Sequence, residues 1–502
     1  MAALSASIVW EFASGGSMNN GGGYVITGGS TDYSLNPTPV ASPANVYHTG
    51  GSTTITSDTD GTFTAAMVGN VIKVVSGTNA TVGWYQIATY VDQHNITLNA
   101  SINAATNNTK DILINVGGAL AYGIAAQDTA FHAAVVAGNT IWYNGGNTNP
   151  GTTFTIAGNI AAGTAGSSTA VIYLKGYKQT RGDSCDGAYR PTIACAAYTI
   201  AAHNTYCSTH NLIFTGTAAS VYTVPATCIV TNCKSTNSST NANQTAFAAS
   251  SSNCYFFGCE ASSPLGYAFA PTFGSTLAGC YAHDSKTGIQ MVSAGSTVLN
   301  SVFETCTNGI VLVNLAKVIG NTIRNCSIGI SGGALADNAF INNIITDCYV
   351  GASWSSVMQS NVWAFNCFYG NTTPRTNVTA GATDIATDPV LTGVCGKGTG
   401  GASTAGTSVF TSANNPFADV TTSDYLAIFA GTGTGIKLAV YAISSVASIP
   451  GQITLATDPT DAVHNISGCT FGVVKGVDFT LGAGSSCLDT ALDAATYSGV
   501  TV

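Results

Sequence analysis

Between about residues 140 and 388 short apolar and polar runs alternate, and the runs repeat. Cys306, Cys326, Cys348 and Cys367 stand 20, 22 and 19 residues apart, each followed three positions later by a glycine: Gly309, Gly329, Gly351 and Gly370. A step of 21 backwards from Cys306 reaches Ser285 with Gly288, and two steps of 26 reach Cys259 and Cys233. A second column five residues earlier holds Cys228, Cys254 and Cys280. A period near 21 with a small inward residue and a glycine turn predicts stacked coils of a right-handed parallel β-helix in an all-β chain.

Aligning the coils on these columns assigns faces. Three residues before the reference position stand Val230, Phe256, Ala282, Phe303, Ile323, Ile345 and Ala364, which predicts an interior row. One before it, Asn232, Gly258, Asp284, Thr305, Asn325, Asp347 and Asn366 predict a corner at which Asn and Asp stack and bond the turn backbones. The period of two turns the remaining positions outward. One outward column contains His283, Glu304 and Arg324 on successive coils, and outward aromatic residues include Tyr255, Phe257, Tyr281, Trp363 and Phe365.

Three segments are predicted. Residues 1–115 comprise a glycine-rich arm and a small β module, 116–390 a capping helix and the β-helix, and 391–502 a second β module with a closing segment. The helix is expected over Leu120 to Val136, where an alanine-rich run ends before Gly138. The two modules are expected to be alike. Phe63 and Phe417, Gly77-Thr78 and Gly431-Thr432, Tyr85 and Tyr441, and Ile96-Thr-Leu98 and Ile453-Thr-Leu455 match in order.

The opening Ile8-Val-Trp-Glu11 with Asn20-Gly-Gly-Gly23 and Thr31-Asp-Tyr-Ser34 resembles the start of β-helix proteins of tailed-phage virions. So do the helix with Ala137-Gly-Asn-Thr-Ile-Trp-Tyr143 and the late stretches Asp388-Pro-Val-Leu391, Asp478-Phe-Thr-Leu481 and Ser485-Ser-Cys-Leu-Asp489. The resemblance implies a structural protein of the virion surface, a homotrimer that decorates the capsid or forms part of the tail beside other virion proteins. The runner-up is a tailspike depolymerase acting on bacterial surface polysaccharide, and a third reading is a non-catalytic glycan-binding adhesin, because fold alone does not fix activity.

Composition narrows the field. Charged residues make up 7% of the 502, and the net charge of −9 comes without a basic cluster, which excludes a nucleic-acid partner. Mean hydropathy is +0.26, yet no apolar run reaches the roughly 18 residues of a membrane span. The first ten residues have neither a basic region nor a long apolar one, so the expectation is assembly in a host cytoplasm with release by lysis.

Fifteen cysteines without Cys-x-x-Cys or Cys/His spacing predict stacked core thiols, no metal and no cofactor. Carboxylates on the coils are Glu260, Asp284, Glu304, Asp337 and Asp347. Adjacent strands lie about 4.8 Å apart, so matched carboxylates would approach glycosidase separations. Glu260 and Glu304 fall in different columns, two coils apart, which predicts no catalytic pair. His283, Glu304 and Arg324 remain the candidates for acid–base chemistry, against an exposed ion-pair row. The five outward aromatic residues suit a subunit interface or a sugar platform. Arg181-Gly-Asp183, an adhesion-like tripeptide, is expected to be incidental.

Overall fold

The computed structural model describes residues 4–25, 30–161, 163–183, 185, 189–203, 205–333, 337–355, 361–386, 397–412, 422, 424–432, 440–446, 451–460 and 463–475. The chain divides into two compact units that part at Asp384 and Ile385. In the first, a parallel β-helix is built from three sheets of twelve, ten and nine strands, each coil placing one strand in each sheet. The first sheet begins with Gly23–Tyr24, paired antiparallel to Val9–Phe12, which in turn pairs in parallel with Thr140–Asn144. The arm read from sequence as part of the N-terminal module therefore begins the solenoid.

Most strands of the first two sheets have only three residues, and this sets their geometry. The middle side chain points inward and its two neighbours outward. Phe303, Ile323 and Ile345 pair in register and are fully buried, so the predicted interior row is real. The rest of that row divides between sheets. Val230 and Phe256 pair onward to Leu277 in the first sheet, whereas Ala282, Phe303, Ile323 and Ile345 lie in the second. Ala364 pairs with Ile341 as the last residue of its strand, not the inward one.

The cause of this error is a corner motif used more than once per coil: a left-handed residue followed by a small inward one. Asn300, Gly320, Asn342 and Phe365 turn one corner with φ of 45°, 68°, 55° and 58°. Asp284, Thr305, Asn325 and Asp347 turn the next with φ of 45°, 58°, 53° and 55°. Asn, Asp and Gly recur there because the left-handed region costs them least. The stacked row is one residue further along. Ser301 N donates to Asn321 Oδ1, Asn321 N to Asn343 Oδ1, and Asn343 N to Asn366 Oδ1, at 2.9, 3.0 and 3.0 Å.

Cysteines occupy the same inward positions in earlier coils, and the thirteen described ones are all buried and reduced. Cys326 and Cys348 donate to the carbonyls of Arg324 and Thr346 two residues back. Cys367 belongs to another column, since it begins the strand Cys367–Tyr369 and pairs with Ile344. The glycines at 288, 309, 329 and 351 are not turns but strand residues of the third sheet. A Cβ on Gly309 would meet the carbonyl oxygen of Gly329 at 2.5 Å, so close stacking requires glycine.

The helix, α1, spans Ala125–Ala134 and is shorter than expected. Leu120 is instead drawn into the core, its N–H bonded to Glu11 O. Asp128 accepts from Gly123 and Ile124 N–H and starts the helix there. Phe131 of α1 packs edge-on against Trp10 and Phe12 and closes the end of the solenoid core.

A closed six-stranded barrel lies between the arm and α1, with strands Val46–His48, Thr54–Ser57, Val71–Ser76, Gly83–Asp92, Asn95–Leu98 and Asn107–Val116. Around the barrel they run first, second, fifth, fourth, third, sixth. The second unit contains a barrel of the same strand order, from Lys397–Ser403 to Ile466–Lys475. Tyr85 pairs with Ile72, and Tyr441 with Leu426. Ile96 pairs with Ile55, and Ile453 with Phe410. The modules are copies strand for strand. Phe417 and the closing motifs at 388–391, 478–481 and 485–489 lie outside the described residues.

Candidate functional site

The second sheet carries the main polar cluster on its outer face. Tyr281–His283, Val302–Glu304 and Thr322–Arg324 each bury the middle residue, so His283, Glu304 and Arg324 align outward on successive strands, as expected. The preceding strand sets Glu260 beside Tyr281 and Lys234. Lys234 Nζ donates to Glu260 Oε1 at 2.6 Å, and His283 Nε2 lies 3.2 Å from the same oxygen. His283 Nδ1 is 2.9 Å from Asp284 Oδ2. Arg324 Nη2 donates to Glu304 Oε1 and Tyr281 OH to Glu304 Oε2, both at 3.1 Å. The Tyr281 and His283 rings stack at 4.6 Å.

Seven side chains thus form one cluster whose carboxylates already have partners. The His283 hydrogen bond, followed by Lys234, holds the Glu260 carboxyl down at about 2. Bonding to Glu260, then to Asp284, raises the His283 imidazole. Burial, then the Glu304 charge, raises the Tyr281 phenol. A carboxyl ionised down to pH 2 is a poor general acid, and an imidazolium clamped by two carboxylates is a poor base. Glu260 and Glu304 stand two strands apart, about 10 Å before side-chain reach, with offset columns. The arrangement suits charge pairing better than bond cleavage.

The five aromatic candidates do not share a face. Tyr255 and Phe257 flank Phe256 on the first sheet, their rings parallel with centroids 6.2 Å apart. Tyr281 belongs to the second sheet. Trp363 is turned inward, stacked on Phe340 at 4.1 Å and edge-on to Trp354, because Val362–Ala364 pairs with Ala339–Ile341 and sets Trp363 in register with the inward Phe340. Phe365 occupies the left-handed corner.

A second aromatic group escaped sequence reasoning. On the first sheet Trp142, Lys175, His210, Thr231 and Phe257 follow one another in register along one outer row. Lys175 Nζ lies 4.3 Å from the Tyr173 ring centre and 5.4 Å from that of Trp142. Tyr173 stacks on His210 at 6.4 Å, and burial lowers the Lys175 ammonium. The alternation in Thr140–Asn144 and Ile172–Tyr177 carries this signal, but the long loops between those strands conceal their register. Arg181 of the adhesion-like tripeptide is committed to Glu11 and Asp32, at 2.8 and 2.6 Å.

Comparison with known proteins adds fold-level likeness. The sequence family described as periplasmic copper-binding protein (NosD) matches residues 202–386. Among the described residues of that stretch the donors stand apart: His203 is interior, His210 and His283 project from different sheets, and the thiols are core residues such as Cys233, which burial pushes up to about 12. Among the described residues no cluster of three such ligands occurs. No curated protein matches. Among solved structures, pectate lyase Pel9A is similar at 15% identity and TM-score 0.35, covering 52% of this chain and 76% of that one. The Dettilon tailspike protein is similar at 10% identity and TM-score 0.30, covering 70% and 89%. The tailspike of E. coli bacteriophage HK620, solved with a pentasaccharide, is similar at 11% identity and TM-score 0.29, covering 72% and 92%. At these values the likeness carries no argument about chemistry.

Proposed function

We propose that this chain is a non-catalytic structural protein of a tailed-phage virion surface, a homotrimer whose β-helix serves as a stiff body in the capsid decoration or the tail. The observation that carries the non-catalytic reading is the saturation of both outer glutamates, Glu260 by Lys234 and His283, Glu304 by Arg324 and Tyr281. Glycoside hydrolysis needs a protonated acid and a second carboxylate converging on one bond. The outer face of the first sheet, with Ile229, Tyr255, Phe257 and Val362, supplies apolar surface for self-association.

A second reading, glycan binding without cleavage, rests on the Trp142–Tyr173–Lys175–His210 group, where flat rings flank a cation. The test is direct. Light scattering of the purified protein should give three times the chain mass. Host capsule and lipopolysaccharide incubated with wild type or Glu304→Gln should keep their size. Gold labelling of purified particles should place the protein on their surface. Shortened glycan with wild type, abolished by Glu304→Gln, would overturn the structural reading in favour of a tailspike depolymerase.

A further inference from the structure

A groove lies between the N-terminal barrel and α1. Its volume is about 600 Å³, within the usual range for small-molecule sites, and its walls are Leu4, Val82, Trp84 and the Ala126, Ala130 and Ala133 face of α1. The barrel strand Val71–Ser76 explains its floor. Ile72 and Val74 fill the barrel, so Lys73 must point out of it, beneath α1. There Lys73 is 2% exposed, and its Nζ sits 3.2 Å from the Trp84 ring centre. Trp84 is itself fixed, its Nε1 donating to Asn20 O at 3.1 Å and its ring edge-on to Phe131.

Among the described residues no carboxylate pairs with this ammonium. Asp128 of α1 is turned toward Gly123, Ile124 and Ala157 N–H, and His132 toward Tyr122 and His203. Tyr85, next to Trp84, faces the barrel interior and bonds Thr81 O. A buried cation facing only a π-cloud lacks the counter-charge that makes such burial favourable. Besides Lys73 and Trp84 the walls carry one polar side chain, Gln127, whose Nε2 donates to Asn19 Oδ1 at 3.2 Å, which is too little for a sugar; a single ammonium without an arginine fork suits a monovalent anion.

We infer that this groove binds a small aliphatic carboxylate, its head group on Lys73 Nζ and its chain along Trp84 and the alanine face of α1. Burial already brings the Lys73 ammonium down to about 8, so the pairing weakens in alkali.

The probes are decanoate and decanol, each below its micelle concentration, titrated calorimetrically into the full chain. At pH 6.5 decanoate should bind roughly tenfold more tightly than decanol, the worth of one charge-assisted bond. At pH 10 that preference should vanish. Lys73→Met should remove the preference and leave decanol binding in place. Ala130→Phe, on the exposed helix face, should fill the groove and abolish both while circular dichroism is unchanged. Equal binding of the two probes at pH 6.5, binding of neither, or decanoate binding that survives Ala130→Phe would overturn the inference. The Ala130→Phe arm decides the matter even if Lys73→Met fails to fold.

Discussion

Arg181 Nε donates to Glu11 Oε2 at 2.8 Å, joining the loop after Ile172–Tyr177 to Val9–Phe12, the first parallel strand of the solenoid. Glu11 is 1% exposed and also accepts from Tyr177 OH, while Arg181 continues to Asp32 and Ser34. Breaking a buried pair from one side strands the remaining charge. At pH 8, where Glu11 is ionised, Arg181→Ala should therefore lower the opening free energy of the Val9–Phe12 amides by about 3 kcal/mol, read by hydrogen exchange. A loss under about 1 kcal/mol would show the pair to be incidental.

The same carboxyl makes the Val9–Phe12 strand pH-sensitive. Burial outweighs Arg181 and raises Glu11 to about 7 from 4.5. A folded value above the unfolded one means that protonation favours the fold. The contribution is complete below about pH 4.5 and is lost as pH rises through 7, about 3 kcal/mol in all. Protection of Val9–Phe12 should fall between pH 5 and pH 8 in wild type. In Glu11→Gln, which keeps the shape without the titration, that fall should disappear.

The asparagine row gives an order of substitutions. Asn343 is fully buried; its Nδ2 donates to Val318 O at 2.7 Å and Asn366 Oδ1 at 2.9 Å, and its Oδ1 accepts from Asn321 N and Nδ2. Asn343→Ala leaves several buried groups without partners and should cost about 2–4 kcal/mol. Asn343→Ser should cost less, since Ser301 serves the same corner two coils earlier by donating to Leu299 O. Asn343→Asp should be the worst, because it buries a carboxyl against Asn366 Oδ1. Unfolding rates that rank the three variants differently would refute the equivalence of the corners.

These corners also explain what was legible in the sequence. The interior row Phe303, Ile323, Ile345 and the doubled barrel were readable because each rests on order within one kind of element. Sheet assignment was not, since a left-handed residue followed by Cys, Ser or Asn marks successive corners about five residues apart. A five-residue slip carries one corner onto the next, as it did between Cys254 and Cys280. The cysteine spacing turns Trp363 outward by a smaller slip, because it sets Cys367 at the corner that Asn366 holds. Lys234 and Glu260 belong beside His283, but the 26-residue coil between them hid the match. Lys73 gave no warning at all, because alternation in Val71–Ser76 predicts a solvent-facing lysine and only α1 covers it.

Thiols at the corners should be chemically silent. Cys326 is buried, bonds Arg324 O and has its thiol raised to about 12, chiefly by its neighbour Cys306 and only secondarily by burial. Thiol reagents should label native protein at none of Cys306, Cys326 and Cys348, and all three only on unfolding. Cys326→Ser should cost about 1 kcal/mol, because Ser285 holds the same corner with its hydroxyl on His283 O at 2.8 Å. Rapid labelling at neutral pH would show that the coils open there.

The polar cluster makes a last prediction that separates pairing from catalysis. His283 gains two carboxylate partners on folding, so its folded value lies above 6.5. Its stabilisation is therefore present below pH 6.5 and is lost as pH rises through the raised value. The pair is partly solvated, which keeps the contribution below about 1 kcal/mol. The imidazole resonance missing from His283→Gln identifies the site among the seven histidines. In wild type it should titrate above 6.5, in Glu260→Gln it should move down, and in Asp284→Asn it should move down less, following the order of the two contributions. Glu304→Gln should leave it nearly unmoved, since Glu304 is bonded to Arg324 and Tyr281. A His283 that titrates with Glu304 and ignores Glu260 would mean that the imidazole and Glu304 share a proton. That behaviour belongs to an acid–base pair and not to two separate ion pairs on a rigid wall.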